Sequence, residues 1–165
     1  MLYPEFVKAV ATSYKERGIS TAIETCGFVP WKNFEMVADQ IDLVMFDLKI
    51  MDDEKHRKYC GGSNERILQN LEKISQKVET VVRMPIIPGI NDSVEDIDAA
   101  GDYLKNLLGK GGKVHILAYH NLGEGKYNAL CKPYLLKGLK APEDEHMQDI
   151  KNQLENYGLK VQIGG

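Results

Sequence analysis

The chain has 165 residues, of which 43% are hydrophobic and 27% charged, enough for one domain with a sizeable core and ordinary for a globular protein. A net charge of −3 and a pI near 5.8 argue against a nucleic-acid or anionic-membrane binder. No apolar run approaches the ~20 residues of a bilayer span, Met1 leads into an amphipathic pattern unlike a signal peptide, and three widely spaced cysteines (Cys26, Cys60, Cys131) form neither a disulfide framework nor a zinc or iron–sulfur motif, so a reducing cytoplasm is the expected setting.

In chain order, Tyr3 to Arg17 reads as a helix, with Pro4 in its first turn and Phe6, Val7, Val10, Ala11 and Tyr14 as one apolar stripe. Gly18 is a natural stop. Ile19 to Gly27 reads as a strand, with Ala22, Glu24 and Cys26 on one face. A short helix over Pro30 to Gln40 follows, then a strand over Ile41 to Lys49. Asp52 to Asn64 is polar and broken at Gly61-Gly62; Asp52, Asp53 and His56 look like a solvated helix start and not a metal cluster. A helix from about Asn64 to Lys77 should bury Ile67, Leu71, Ile74 and Val78.

Glu79 to Ile87 is the next strand, with Val81, Arg83 and Pro85 on its inner face, and Pro88-Gly89 marks the turn. Asn91-Asp92-Ser93 offers cap residues, and Asp92 and Glu95 have the spacing of a capping box, for a helix running to about Leu108, with Val94, Ile97, Leu104 and Leu108 inward. Lys113 to His120 reads as a strand with Val114, Ile116, Ala118 and His120 on one face. Asn121 to Tyr127 is a loop, and Leu130 to Pro142 is irregular. The last helix, Glu143 to Tyr157, carries Met147, Ile150 and Leu154, and Val161 to Ile163 can form a short final strand. Helix followed by strand–helix units implies one α/β domain with a parallel sheet.

Ile41 to Lys49 (Ile-Asp-Leu-Val-Met-Phe-Asp-Leu-Lys) is an apolar strand that ends in charge. Met45, Asp47 and Lys49 share one face. Charges there are expensive unless paired or used, so a salt bridge, a solvated strand exit and a ligand site all remain open. Glu24, Arg83 and His120 lie at or near the C-terminal ends of other strands, the edge where parallel α/β folds bind ligands. Two acids, two cations and an imidazole suit a zwitterion, with Lys49 and Arg83 on a carboxylate and Glu24 or Asp47 on the cationic end. Taken singly, each residue has a structural reading: Glu24 a solvated strand end, Arg83 a partner of Asp47, His120 a satisfied histidine, Cys26 and Cys60 inert thiols.

Four segments carry a family resemblance: Thr25-Cys26-Gly27-Phe28-Val29-Pro30, Asp42 to Lys49, Arg83-Met84-Pro85-Ile86-Ile87-Pro88-Gly89-Ile90-Asn91-Asp92, and Ala118-Tyr119-His120-Asn121-Leu122-Gly123. In this order, and with Gly138 to Pro142, they resemble the glycyl-radical-enzyme activating enzymes of the radical SAM superfamily, of which the pyruvate formate-lyase activating enzymes are the best known. The resemblance implies a partial (β/α) barrel, here with four core parallel strands and flanking helices. It also implies S-adenosylmethionine and a [4Fe-4S] cluster, whose reductive chemistry yields a radical that takes a hydrogen from a glycine of the partner enzyme. Implied partners are a glycyl radical enzyme such as pyruvate formate-lyase, and an electron donor such as flavodoxin. Asp47 and Lys49 match the family's Asp-x-Lys motif. Arg83 and His120 match positions contacting S-adenosylmethionine, and Glu24 and Met45, with Asp47, match positions near a monovalent cation.

The sequence also departs from the family. The Cys-x3-Cys-x2-Cys cluster motif and the Gly-Gly-Glu motif are absent. The expectation is therefore a C-terminal part of the barrel without cluster ligands, without catalytic residues of its own and inactive alone. Glu24 stands where the family more often has Asp, and Ala118 where it more often has Pro. Two readings of another class stay open: a partner-docking module whose open sheet edge favours self-association, and a small α/β protein binding an amino-acid-like ligand.

Overall fold

The computed structural model of the chain describes residues 2–164. Five strands form one sheet: β1 (Ala22–Thr25), β2 (Leu43–Asp47), β3 (Glu79–Ile86), β4 (Lys113–Ala118) and β5 (Lys160–Ile163). The order is β1-β2-β3-β4-β5, and every neighbouring pair is parallel. A sequential order without reversal belongs to a barrel segment; a doubly wound sheet reverses at a switch point. The expected α/β partial barrel is thus present, and the short last strand joins the four core strands as a fifth.

The connecting helices are α1 (Pro4–Lys15), α2 (Trp31–Val37, continued by a 3-10 turn over Ala38–Gln40), α3 (Asp53–Cys60), α4 (Glu65–Ser75), α5 (Val94–Leu108), α6 (Glu124–Ala129) and α7 (Asp144–Asn156). Side-chain alternation sorts each strand into two faces. Val44 and Phe46, Val82, Met84 and Ile86, and Val114 and Ile116 are buried together with Phe34, Leu71, Ile74, Leu104 and Leu154 of the helices. The other face carries Met45, Asp47, Arg83 and His115, all half-buried. Among the described residues no helix is long and apolar enough to cross a membrane.

Several expectations are corrected. The stripe on α1 reaches the core only in part: Ala11 is buried in it and Val7 packs against it, while Phe6, Val10 and Tyr14 are 70%, 36% and 46% exposed. α1 packs on α2, and that short helix covers less than the stripe offers. Of the expected cap residues Ser93 caps α5, in place of a box from Asp92 to Glu95: its Oγ accepts from Asp96 N at 3.2 Å and donates to Asp96 Oδ2 at 2.9 Å. Asp92 instead accepts from Gly89 N at 2.7 Å, and Val94 is exposed. Asp52 does cap α3, accepting from Lys55 N at 2.7 Å. His56, however, is buried, with Nδ1 2.6 Å from Gly62 O. The expected loop after β4 contains a 3-10 turn (Asn121–Gly123) and α6.

Candidate functional site

Register assembles the polar residues. β2 and β3 pair Asp47 with Arg83, and β1 and β2 pair Glu24 with Met45. Paired residues of neighbouring strands, and residues two apart on one strand, share a face, so the half-buried face gathers Glu24, Met45, Asp47 and Arg83. Arg83 Nη2 donates to Asp47 Oδ1 and to Glu24 Oε2, each at 2.9 Å, and Arg83 Nε donates to Asp47 Oδ1 at 3.0 Å. Lys49 Nζ donates to Asp47 Oδ2 at 3.2 Å. The Arg83 side chain is 17% exposed. Burial pulls its guanidinium down, but hydrogen bonds to Asp47 and Glu24 outweigh this and hold it above its ordinary range. Acids and cations therefore neutralise one another along the chain Glu24–Arg83–Asp47–Lys49. The structural reading of Arg83 and the site reading of its neighbours describe the same residues.

Beside this chain lies a cavity of about 500 Å³ lined by Asp47, Lys49, Cys26, Phe28, Tyr59 and Tyr134 among others. Burial raises the Cys60 thiol there, and Lys49 pulls it the other way. Tyr134 is pushed up to about 12, first by its hydrogen bond with Tyr119 and then by burial; the two hydroxyls are 2.7 Å apart. A second hollow of about 460 Å³ lies at the opposite edge of the sheet, between Lys77 and Lys113. None of the polar chain reaches it, and ligands of parallel sheets bind at the C-terminal edge.

Buried asparagines hold the loops of that edge, and sequence reasoning missed all of them. Asn70 Nδ2 donates to Gly27 O and Val29 O, each at 2.8 Å, fixing the loop after β1. Asn64 Nδ2 donates to Ile50 O and Met51 O, at 3.1 and 2.6 Å, after β2. Asn91 Nδ2 donates to Lys49 O at 2.6 Å and Pro85 O at 2.7 Å, and its Oδ1 accepts from Ile87 N at 2.7 Å. Asn91 thus ties the exit of β2 to that of β3, and so positions Lys49. One signal was available: Asn70 falls inside the apolar stripe Ile67, Leu71, Ile74, where a polar side chain has to find buried partners.

The predicted residues separate into two groups. Glu24, Asp47, Lys49 and Arg83 are joined by hydrogen bonds, and Met45 lies on the same face in register with Glu24. His120 stands apart: it lies beyond the end of β4, is exposed, and makes no hydrogen bond or ion pair among the described residues. The face expected to carry His120 with Val114 and Ile116 is the helix-covered one. His115 is the β4 residue in register with Arg83, and its Nδ1 is buried without a hydrogen-bond partner among the described residues. Its place beside Arg83 follows from the pairing of β3 with β4, which alternation within β4 does not give.

A model of the radical SAM superfamily matches residues 1–100. The chain belongs to that superfamily. It is 35% identical over 171 residues to the (2S)-3-sulfopropanediol dehydratase activating enzyme of Klebsiella oxytoca, covering 99% of this chain and 53% of that protein. It is 36% identical over 166 residues to the pyruvate formate-lyase 1-activating enzyme of Escherichia coli (strain K12), covering 98% of this chain and 66% of that protein. The chain spans about half the length of the first of these curated relatives and about two-thirds of the second. Its fold matches a solved domain of a pyruvate-formate lyase-activating enzyme from Bacteroides vulgatus, with a TM-score of 0.81 and 26% identity over 99% of this chain and 92% of that one. A radical SAM methyltransferase from Sphaerobacter thermophilus shares the fold alone, with a TM-score of 0.64 and 14% identity over 90% of this chain and 42% of that one. The resemblance read from the motifs is therefore to the activating enzymes of the radical SAM superfamily, and the fold agrees.

Proposed function

We propose that this chain is part of a radical S-adenosylmethionine activase that generates a glycyl radical on a partner enzyme of the pyruvate formate-lyase type. The observation that carries the reading is the hydrogen-bonded chain Glu24–Arg83–Asp47–Lys49, exposed at Glu24 and half-buried beyond it, of which Asp47 and Lys49 line a cavity at the C-terminal edge of the sheet. These residues fit S-adenosylmethionine. The cations can pair with its carboxylate, the acids with its ammonium and sulfonium, and the largely apolar lining can take its adenosyl part. When bound, the cofactor and a reduced cluster supply the one-electron cleavage and hydrogen abstraction. This chain's part is to bind and orient the ligand: Lys49 is held by Asn91 at its carbonyl, and Arg83 by two acids. Contact from His120, and a monovalent cation at Glu24, Met45 and Asp47, belong to the same proposal; a cation there would share its carboxylates with Arg83.

The residues do not fit a cluster. Among the described residues no three His, Cys, Asp or Glu side chains converge to hold a metal, and Cys131 does not line the cavity that Cys26 and Cys60 share. The proposal therefore treats the chain as one domain, the C-terminal part of the barrel, inactive alone, with the cluster and the Gly-Gly-Glu motif elsewhere in the whole cytoplasmic protein and reduction by a flavodoxin-type donor. The test is to express the whole reading frame, reconstitute it anaerobically and follow the glycyl radical by electron paramagnetic resonance on a partner of its own genome. Radical formation that falls at least about tenfold in Asp47→Asn and Arg83→Met, roughly 1.4 kcal/mol of lost binding or orientation, is the expected result. A reading frame without three closely spaced cysteines would overturn the proposal.

A second reading has its own observation. Leu2, Tyr3 and Phe6 are more than two-thirds exposed, at 79%, 76% and 70%, and the β1 edge is unpaired among the described residues. This face suits protein docking or self-association.

A further inference from the structure

Two thiols that the proposed function leaves unused face one cavity. Cys26 is the first residue after β1, and Cys60 is the last residue of α3. Both are exposed, and both line the cavity that Asp47 and Lys49 also line. The loops that carry them touch, since a Cβ built on Gly62 would lie 3.7 Å from Phe28 Cζ. Each cysteine is followed by a glycine in the left-handed region, Gly27 at φ 73° and Gly61 at φ 83°. Both therefore sit at sharp turns, outside any strand ladder or helix interior that would hold their backbones apart. Charge on Cys26 reaches the Cys60 thiol. Burial raises the Cys60 thiol first, Lys49 lowers it, and charge on Cys26 raises it further. Cys131 has no part in this: it follows α6 and does not line the cavity.

We propose that Cys26 and Cys60 form an oxidation-sensitive dithiol that closes to a disulfide across the cavity when the protein meets a peroxide. The Cys26 thiolate attacks one oxygen of hydrogen peroxide. The O–O bond breaks, leaving a sulfenic acid on Cys26 Sγ and a hydroxide that takes up the thiol proton as water. Cys60 Sγ then attacks Cys26 Sγ. The S–S bond forms, the S–O bond breaks, and the second water leaves with the Cys60 proton. Two thiols are oxidised and one peroxide is reduced to two waters. The bridge ties the exit of β1 to the end of α3 beside Lys49, so it alters the cavity wall directly. The inference stands whether or not the cavity takes S-adenosylmethionine, because its readout is a covalent bond.

The test treats the 165-residue chain with a small excess of hydrogen peroxide, blocks remaining thiols with iodoacetamide and digests without reductant for mass spectrometry. The expected product is a linked Cys26–Cys60 peptide pair about 2 Da lighter than the sum of its free peptides. It should revert with dithiothreitol, vanish in Cys26→Ser and Cys60→Ser, and persist in Cys131→Ser. In Cys60→Ser, with no resolving thiol, dimedone should label Cys26. Independent oxidation of Cys26 and Cys60 without a linked pair would overturn the proposal, as would disulfides that join Cys131 or two copies of the chain.

Discussion

Gly27 occupies the turn between β1 and the candidate cavity, and two physical demands meet there. Its φ of 73° is in the left-handed region, and a Cβ at this position would overlap the ring of Phe46. That ring cannot retreat cheaply: it is fully buried and stacks on Phe34, with centroids 6.3 Å apart. Gly89 separates the two demands, because it has the same φ of 73° with nothing within 4 Å of its built Cβ. A left-handed conformation costs a residue with a side chain about 1–2 kcal/mol, and overpacking a dense core adds about 1–3 kcal/mol. Gly89→Ala should therefore lose about 1–2 kcal/mol and Gly27→Ala about 2–5 kcal/mol. At roughly 2–4 °C per kcal/mol for a domain of this size, the two midpoints should differ by roughly 2–12 °C. Thermal and urea unfolding followed by circular dichroism measure both losses on the same chain. Equal losses would mean that the Phe46 ring moves aside freely, and the argument from close packing would fail.

Asn91→Ala leaves the carbonyls of Lys49 and Pro85 and the N–H of Ile87 without their partner. At about 1–3 kcal/mol for each buried group left unsatisfied, urea unfolding should show a loss of at least about 2 kcal/mol, and a loss below about 1 kcal/mol would sink the stapling role. The Asp53 carboxyl is lowered from 3.8 to about 2 by hydrogen bonds from Ser63, Arg57 and the Asn64 backbone. Its contribution is therefore present above pH 3.8 and lost as pH falls towards 2, so Asp53→Asn should flatten that acid limb; an unchanged limb would refute this. Tyr103, raised by burial, and Tyr134, raised first by its Tyr119 hydrogen bond, both move from 10.0 to about 12. The stability they contribute is complete below pH 10 and lost as pH rises through 12. Absorbance titration of the wild type should show Tyr103 and Tyr134 among the late tyrosines, together with Tyr157, which its hydrogen bond to Asp98 also raises, and Tyr103→Phe and Tyr134→Phe should each remove one of them; a single transition near 10 would contradict it. The apolar face of α1 should drive self-association that Phe6→Lys abolishes, read by light scattering, and a wild-type mass of 18.6 kDa at high concentration would exclude it.

Much of the fold was legible because its signals are local. The stripe Ile67, Leu71, Ile74 turns with the period of a helix, and the apolar centre of β2 is what a strand with a covered face requires. Alternation of strand and helix implies a parallel sheet, and the motifs around Asp47, Arg83 and His120 carried the family. The same local logic failed where the answer depends on what lies opposite. Phe6, Val10 and Tyr14 keep helical period, yet the described chain leaves them 70%, 36% and 46% exposed. Asp92 and Glu95 have the spacing of a capping box, yet Asp92 is drawn into the Gly89 turn and Ser93 takes the cap. His120 follows a strand parity that ends at Ala118, while His115 is placed beside Arg83 by the pairing of β3 with β4.

By itself the sequence determined most of the elements, their parallel order and the charge chemistry of the C-terminal edge, because period, propensity and residue type are written along the chain. Tertiary structure alone decided that Arg83 bridges Glu24 and Asp47, that Asn64, Asn70 and Asn91 staple the loops of that edge, and that Cys26 and Cys60 share a cavity. Apart from the two short-range bonds of Asn91 to Pro85 and Ile87, the hydrogen bonds among these join residues 13 to 59 positions apart, and register, not sequence spacing, sets which of them meet.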